Sequence, residues 1–194
     1  TRLIRFVDTC VGHRKGGIAN VCIIVACFFG AISGSGPATV AALGAVLIPA
    51  MVERGGFSAP FSTALMATAS SIAIVIPPSI AFVVYASITG VSIGDMFMAG
   101  IVPGILMGLA LIVVVMLEVR KNHVVPSNVQ KASAKERLDA FKDAFWGFLM
   151  PVIILGGIYG GIFTPTEAAA VSVVYGLFVG MVIYLSLIHI SEPT

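Results

Sequence analysis

The segment Ser33-Gly34-Ser35-Gly36-Pro37 separates two apolar runs and concentrates oxygen atoms that can bind a cation. Ser33, Ser35 and the nearby Thr39 carry hydroxyl groups, and the two glycines free the backbone to turn its carbonyl groups inward. Hard cations are bound by several such oxygens. The pattern predicts a Na⁺ site with these three side chains among its ligands. A break rich in glycine and serine is also the composition of an ordinary loop, and that alternative stays open.

A double proline interrupts a later apolar run at Ile76-Pro77-Pro78-Ser79. Neither proline has an N–H to donate, and Pro78 disfavours the helical conformation at Pro77. The carbonyl groups that would have bound those N–H groups are left free, and Ser79 can cap a new helix after the break. The pattern predicts a discontinuous helix whose break adds to the binding site, with a purely structural kink as the alternative.

A third motif, Thr164-Pro165-Thr166-Glu167, is typical of a helix start. Thr164 at the N-cap, Pro165 at the first helical position and Glu167 at the third form a capping box. The alternative interpretation is functional, because acidic residues inside membrane spans often contact a transport path. Under that interpretation Thr166 and Glu167 are candidate binding residues.

Composition places these motifs in a membrane. The chain has 194 residues, of which 58% are hydrophobic and 10% are charged, whereas a soluble domain carries roughly 25% charged residues. Several apolar runs approach the ~20 residues that a spanning helix needs. The basic residues cluster at the ends of these runs, which argues against a nucleic-acid partner. The sequence therefore predicts an all-α polytopic membrane protein that has the lipid bilayer as its solvent.

Three elements are expected to position the two breaks: a hairpin over 16–54, a broken helix over 57–88 and a spanning helix over 96–117. Each hairpin arm has about 15–17 residues, short for a full span, so we predict a re-entrant hairpin. Two full spans are the alternative. The spanning helix has small residues on one face that let a neighbouring helix approach closely, namely Gly100, Gly104 and Gly108.

The rest of the chain is divided by its charges. Residues 119–146 are predicted to be a cytoplasmic amphipathic linker whose helix ends at Trp146, and residues 147–184 return to apolar sequence. The positive-inside rule places the basic segments in the cytoplasm, namely 1–15, 53–54 and 118–142. Residues 185–194 resemble a translated sequencing adapter, and we predict that they are an artefact.

Two interruptions that meet near the membrane midplane are the usual construction of a secondary-transporter site. The acids Glu53, Asp95 and Glu118 lie at segment ends, so no buried relay of acids supports proton coupling, and Na⁺ is favoured. A serine protease would need a base beside Ser33 or Ser35, and the apolar spanning segments hold no His or Lys. A channel or a passive membrane scaffold remains an alternative.

Five motifs occur in an order and spacing that resemble the large membrane subunit of TRAP (tripartite ATP-independent periplasmic) transporters, the DctM-like permease. The resemblance covers about residues 1–184. The motifs are Gly12-His13-Arg14-Lys15-Gly16-Gly17, Ser33-Gly34-Ser35-Gly36-Pro37-Ala38-Thr39, Ile76-Pro77-Pro78-Ser79-Ile80, Ala99-Gly100-Ile101-Val102-Pro103-Gly104 and Gly161-Ile162-Phe163-Thr164-Pro165-Thr166-Glu167-Ala168-Ala169.

The resemblance implies an elevator-type transporter of the bacterial inner membrane that imports organic acids of the C4-dicarboxylate, sialic acid or keto-acid type. It implies Na⁺ as the coupling ion and no other cofactor. The implied partners are a small TRAP membrane subunit and a periplasmic substrate-binding protein. By position, the implied sodium-site residues are Ser33, Gly34, Ser35, Thr39 and Ser79.

The same resemblance assigns residues 1–118 to the first inverted repeat and residues 147–184 to the start of the second. The family's second hairpin and second proline break have no counterpart here, which implies an N-terminal and central fragment. A related dicarboxylate or citrate symporter that works without a binding protein is the alternative within transport.

Overall fold

The computed structural model describes residues 2–14, 16–122 and 132–183, and over these residues it is helical with no strand. This confirms the all-α prediction. Within the described residues, five helical stretches are long and apolar enough to cross a membrane: Gly36–Glu53, Ala59–Thr89, Ile93–Lys121, Ala134–Tyr159 and Pro165–Ile183. The helices are α1 (Arg2–Val11), α2 (Gly17–Ser33), α3 (Gly36–Glu53), α4 (Ala59–Val75), α5 (Ile80–Thr89), α6 (Ile93–Lys121), α7 (Ala134–Tyr159) and α8 (Pro165–Phe178), which runs into a π-helical turn, Val179–Ile183.

Local sequence explains where the helices begin and end. Five helices begin after a serine or threonine whose hydroxyl accepts a backbone N–H of the first turn, namely Ser35, Ser58, Ser79, Ser92 and Thr164. Two helices end at a glycine in the left-handed region, Gly34 with φ 61° and Gly90 with φ 75°. Glycine takes this conformation without the steric cost that a Cβ adds.

The chain divides into two compact units, Thr1–Ala144 and Phe145–Thr194, and the division falls within α7. In the first unit, most residues of α2 are buried, and α2 and α3 both pack against α4 as well as against each other. Small residues bring α2 and α4 close: a Cβ added to Gly30 would lie 2.7 Å from Ala73 Cβ. This close packing fixes the hairpin, α2 and α3, against the broken helix, α4 and α5.

The glycine face predicted on the spanning helix is buried. Gly100 lies against Phe82 of α5, and Gly104 lies against Ile76 in the break. Gly108 has more room, because an added Cβ would lie 3.7 Å from Cys27 Sγ. The prediction that small residues allow close helix packing is confirmed, and the partner is the broken helix together with α2.

Two elements differ from the sequence prediction. The spanning helix is longer than 96–117, because Ser92 caps it at one end and its last polar turn continues to Lys121. The amphipathic segment does not end at Trp146 but continues without interruption to Tyr159. The proline between Trp146 and Tyr159, Pro151, lies inside α7 and does not end the helix.

The first unit holds the amphipathic start of α7 against α1. The rings of Phe6 and Phe141 lie 5.5 Å apart, and Arg5 forms an ion pair with Asp143 at 3.4 Å. Residues 123–131 of the predicted linker, Lys15, Tyr184 and the predicted adapter segment 185–194 lie outside the described residues. The assignment of the basic segments to the cytoplasm stays a prediction.

Candidate functional site

The hairpin tip is a two-residue connection between α2 and α3. The N–H of Gly34 donates to the Gly30 carbonyl at 2.8 Å and closes α2. Ser35 is extended, with φ −133° and ψ 120°, and its hydroxyl accepts the N–H of Ala38 at 3.5 Å. Pro37 lies in the first turn of α3, where a missing N–H costs nothing. The break predicted at 33–37 is therefore a tight turn from one helix end to the next helix start.

Three oxygen atoms at the tip form a triangle. The Thr39 hydroxyl donates to the Ser35 carbonyl at 2.8 Å, and it lies 3.3 Å from the Ser33 hydroxyl. The Ser33 hydroxyl lies 3.4 Å from the same Ser35 carbonyl oxygen. A hard cation with ligands at about 2.4 Å separates neighbouring ligand oxygens by about 3.4 Å. Two of the three distances match this spacing, whereas the third, 2.8 Å, is that of the hydrogen bond from Thr39 to the Ser35 carbonyl. A bound cation would replace that hydrogen bond and move the two oxygens apart.

Burial differs among the tip residues. Thr39 is completely buried, and Gly34 and Gly36 are buried as well. Ser33 and Ser35 are half-buried, whereas Pro37 is exposed. The Ser35 side chain caps α3, so its backbone carbonyl, rather than its hydroxyl, joins the oxygen triangle. The sequence prediction named Ser35 as a hydroxyl ligand and did not specify this carbonyl.

The proline break lies between α4 and α5. Ile76 is extended, and the Pro77–Pro78 peptide bond is cis. Ser79 is 1% exposed; its hydroxyl donates to the Ile74 carbonyl and accepts the Phe82 N–H at 3.3 Å. The predicted capping role of Ser79 is confirmed. In a continuous helix the Ile74 carbonyl would accept the N–H of residue 78, but that residue is a proline and has none. The Ser79 hydroxyl donates to this carbonyl instead.

The structure brings the tip and the break together. A Cβ added to Gly34 would lie 2.7 Å from the Pro78 carbonyl oxygen and 3.4 Å from the Ile80 nitrogen. A Cβ added to Gly36 would lie 3.2 Å from the Ser70 carbonyl oxygen. Both contacts are to backbone atoms: the one at Gly34 leaves no room for a Cβ, and the one at Gly36 is tighter than most Cβ contacts. The two glycines therefore allow the hairpin tip to pack closely against the broken helix, in addition to giving the backbone its freedom to turn.

The contact between the tip and the break also bears on how deep the tip lies in the membrane. α5 rises about 15 Å from the break to Thr89, and α4 rises about 25 Å to the break from the other side. If the run Ala59–Thr89 crosses a hydrocarbon core of about 30 Å, a tip packed on Pro78 lies inside the membrane. The helix α3, Gly36–Glu53, is itself long and apolar enough to cross a membrane, so the choice between a re-entrant hairpin and two full spans stays a prediction.

Four helix ends meet at this point, with opposite electrostatic signs. α2 and α4 end here and present carbonyl groups, while α3 and α5 begin here and present N–H groups. Carbonyl ends attract cations, and helix starts attract anions. Among the described residues no cluster of three or more His, Cys, Asp or Glu side chains is suited to a transition metal. The local chemistry is that of neutral oxygen atoms and helix ends.

Sequence reasoning did not identify Ser70 or the pair Gly30 and Ala73. Ser70 is buried, its hydroxyl donates to the Ala67 carbonyl at 2.7 Å, and its own carbonyl faces Gly36. The available signal was the run of small residues in the first half of the broken helix, 67–73. Small residues at helical spacing indicate close packing, but the pattern does not specify the partner helix.

The third motif lies in the second unit and is described by itself. Both halves of the capping box are present: Glu167 N–H donates to the Thr164 hydroxyl at 3.3 Å, and the Thr164 N–H donates to the Glu167 carboxylate at 2.8 Å. The predicted helix start is confirmed. Thr166 and Glu167 are exposed, and their role as binding residues stays a prediction.

Comparison with known proteins identifies similar sequences over the whole described range. A family model for the DctM component of the tripartite ATP-independent periplasmic transporter matches residues 1–190. The chain is 48% identical over 185 residues to the C4-dicarboxylate TRAP transporter large permease protein DctM of Pseudomonas aeruginosa, which covers 94% of this chain and 42% of that protein.

The names of two further relatives refer to other substrates. The isethionate TRAP transporter permease protein DctMQ of Oleidesulfovibrio alaskensis is 48% identical over 96% of this chain and 29% of that protein. The ectoine TRAP transporter large permease protein TeaC of Halomonas elongata is 47% identical over 96% of this chain and 43% of that protein. The chain thus spans less than half the length of these relatives. Nearly equal identities accompany three different named substrates, so the overall identity of this segment does not indicate a substrate.

Proposed function

The chain belongs to the family of DctM components of tripartite ATP-independent periplasmic transporters, and from that premise we propose that its hairpin tip and proline break bind the Na⁺ that drives uptake. As a member of this family the chain is a multi-pass protein of the bacterial inner membrane, and the family is one of transporter permease subunits rather than enzymes. The ion site and its role in coupling are our inference.

One observation carries the proposal: the backbone contact between Gly34 at the tip and Pro78 in the break. It puts the oxygen triangle of Ser33, Ser35 and Thr39 beside a second helix end that presents carbonyl groups. Neutral oxygens on a discontinuous backbone inside the membrane are what secondary transporters use to bind Na⁺. We propose Ser33, Ser35, Thr39 and Ser79 as its ligands, with Gly34, Gly36, Pro77 and Pro78 shaping the site.

The substrate and partners follow as proposals about the complete protein. We propose that it imports an organic acid of the C4-dicarboxylate, sialic acid or keto-acid type, delivered by a periplasmic binding protein, and that a small TRAP membrane subunit accompanies it. The starts of α3 and α5 at the site favour an anionic group nearby. Thr166 and Glu167 are proposed as further polar contacts.

Uptake into proteoliposomes tests this function. The complete permease and its small subunit would be reconstituted, and labelled C4-dicarboxylate uptake measured with and without binding protein, in an inward gradient of Na⁺ or of K⁺. We expect uptake only when binding protein and the Na⁺ gradient are both present. Uptake that needs no binding protein would instead support the simpler symporter, and equal uptake in K⁺ would contradict sodium coupling.

A further inference from the structure

The helix α1 contacts both arms of the hairpin in the first unit. Its apolar face packs on α2, with Val7 buried in the core and Ile4 partly buried against it. On its polar side, Asp8 forms an ion pair with Arg54, with 3.3 Å between Oδ2 and Nη2. Arg54 is the C-cap of α3, so α1 is linked to the open end of the hairpin, opposite the tip.

The end of α3 is closed by backbone hydrogen bonds and by packing. The N–H of Gly55 donates to the Ala50 carbonyl at 3.2 Å, and the N–H of Phe57 donates to the Met51 carbonyl at 3.1 Å. A Cβ added to Gly55 would lie 2.5 Å from the Ile18 side chain, so this end lies directly on α2. The rate at which these amide protons exchange with solvent therefore measures how firmly the end of α3 is held.

The same helix also contacts the start of α7. The ring of Phe6 lies 5.5 Å from that of Phe141, and Arg5 forms an ion pair with Asp143 at 3.4 Å. One short helix thus carries two ion pairs to two different elements. The side chains of Arg5 and Arg54 are 64% and 53% exposed. Exposed ion pairs are weak, so both can break and form again without unfolding the helices.

Arg5 and Asp8 lie three residues apart on α1, a spacing at which helical side chains are neighbours and opposite charges attract. Arg5 therefore has two acidic groups within reach, Asp143 on α7 and Asp8 on its own helix. We propose that α1 is a clasp in which Asp143 holds Arg5 away from Asp8. Asp8 then stays paired with Arg54 and keeps the end of α3 closed.

The clasp makes the open end of the hairpin sensitive to α7. When Asp143 leaves, Arg5 is free to compete with Arg54 for Asp8. The ion pair between α1 and α3 weakens, and the end of α3 opens more often. A change at the start of α7 thus reaches the hairpin through α1. This proposal goes beyond the proposed ion site and stands independently of it.

Hydrogen–deuterium exchange of the complete permease tests the clasp, with mass spectrometry of peptides that cover residues 51–57. We expect Asp143→Asn to raise the exchange rate there about twofold to fivefold, the range of a weak ion pair. Arg5→Gln breaks the same ion pair but also removes the competitor, so we expect no rise. The double variant of Arg5→Gln with Asp143→Asn should exchange like the wild type. Equal rises in the two single variants, or no rise in Asp143→Asn, would overturn the proposal.

Two further variants and a salt series complete the test. Arg54→Gln removes the ion pair at the end of α3 directly, so its exchange should rise at least as much as in Asp143→Asn. Asp139→Asn is the matched control, because Asp139 is exposed on α7 and forms no ion pair within the part of the chain that the structure describes. No rise in Arg54→Gln, or an equal rise in Asp139→Asn, would overturn the proposal.

Salt distinguishes a charge effect from a packing effect. Raising KCl from about 0.05 to about 0.5 M screens exposed charges and should remove the difference between Asp143→Asn and Arg5→Gln. A difference that persists at high salt would overturn the clasp. Unchanged exchange in the buried part of α4, residues 65–73, shows that each variant is folded. All samples lack Na⁺, so the outcome does not depend on the proposed ion site.

Discussion

At the scale of single residues, the site depends on the absence of a side chain at Gly34 as well as on the oxygen atoms around it. Gly34 has a positive φ and lies against the Pro78 carbonyl, so two separate costs oppose a side chain there. A left-handed backbone with a Cβ costs about 1–2 kcal/mol, and forcing a group into packed space costs about 1–3 kcal/mol more. The cost of forcing a Cβ into packed space arises only if the tip and the break are in contact.

We expect Gly34→Ala to lower the thermal unfolding midpoint of the permease more than Gly90→Ala does. Gly90 has a similar φ of 75°, yet an added Cβ there meets nothing within 4 Å. The control Gly90→Ala is therefore destabilised only by the left-handed backbone conformation, without a steric clash. Scanning fluorimetry in detergent compares the two variants. Equal midpoints would mean that the tip does not press on the break.

Ser79 joins the two halves of the broken helix. We expect Ser79→Ala to destabilise the protein by about 1–2 kcal/mol, because it removes the cap of α5 and the bond to the Ile74 carbonyl. Ser92→Ala is the control, since Ser92 also caps a helix but does so at the surface. Denaturant titration of both variants checks this. A smaller loss for Ser79→Ala than for Ser92→Ala would contradict the bridging role.

The oxygen-bearing residues could be predicted from the sequence, but their geometry could not. Hydroxyls and glycines at 33–39 indicated the tip, and Ser79 was correctly predicted to cap a helix. Which atom of Ser35 faces the other oxygens depends on its φ and ψ and on the Thr39 hydroxyl. Residue types do not determine those angles.

At the scale of elements, the glycine face of α6 holds the spanning helix against the break. Gly100 touches the Phe82 ring and the Val75 carbonyl, while Gly108 has ordinary contact distances around it. We expect Gly100→Ala to destabilise the permease by about 1–3 kcal/mol and Gly108→Ala to have a much smaller effect. Thermal unfolding of the two variants distinguishes them. Similar losses would mean that α6 and the broken helix are not in close contact.

Periodicity and breakers predicted the hairpin, the broken helix and the capped start of α8, because caps and prolines act within a few residues. The continuity of α7 was missed. Its amphipathic and apolar halves differ in composition, and such a change in composition suggests a helix end that the structure does not have. Backbone hydrogen bonding continues through such a change unless a residue interrupts it, and here even Pro151 does not.

At the scale of the whole molecule, the described residues contain the hairpin α2–α3 and the proline break between α4 and α5, and the chain spans 42% of the Pseudomonas aeruginosa relative. Coupling is a property of the complete transporter, since an ion drives transport only when its binding changes the state of the whole protein. The central claim is that the buried Thr39 hydroxyl helps to bind the coupling ion.

The most direct test is a sodium titration of substrate uptake by the complete permease, comparing Thr39→Val with Thr63→Val. Both hydroxyls donate to the carbonyl four residues earlier, at 2.8 Å from Thr39 and 2.9 Å from Thr63, but Thr63 is exposed on α4 away from the oxygen triangle. We expect the half-saturating Na⁺ concentration to rise about tenfold in Thr39→Val, as loss of a contact worth about 1.4 kcal/mol would produce, and to stay unchanged in Thr63→Val. A wild-type sodium dependence in Thr39→Val would contradict the account.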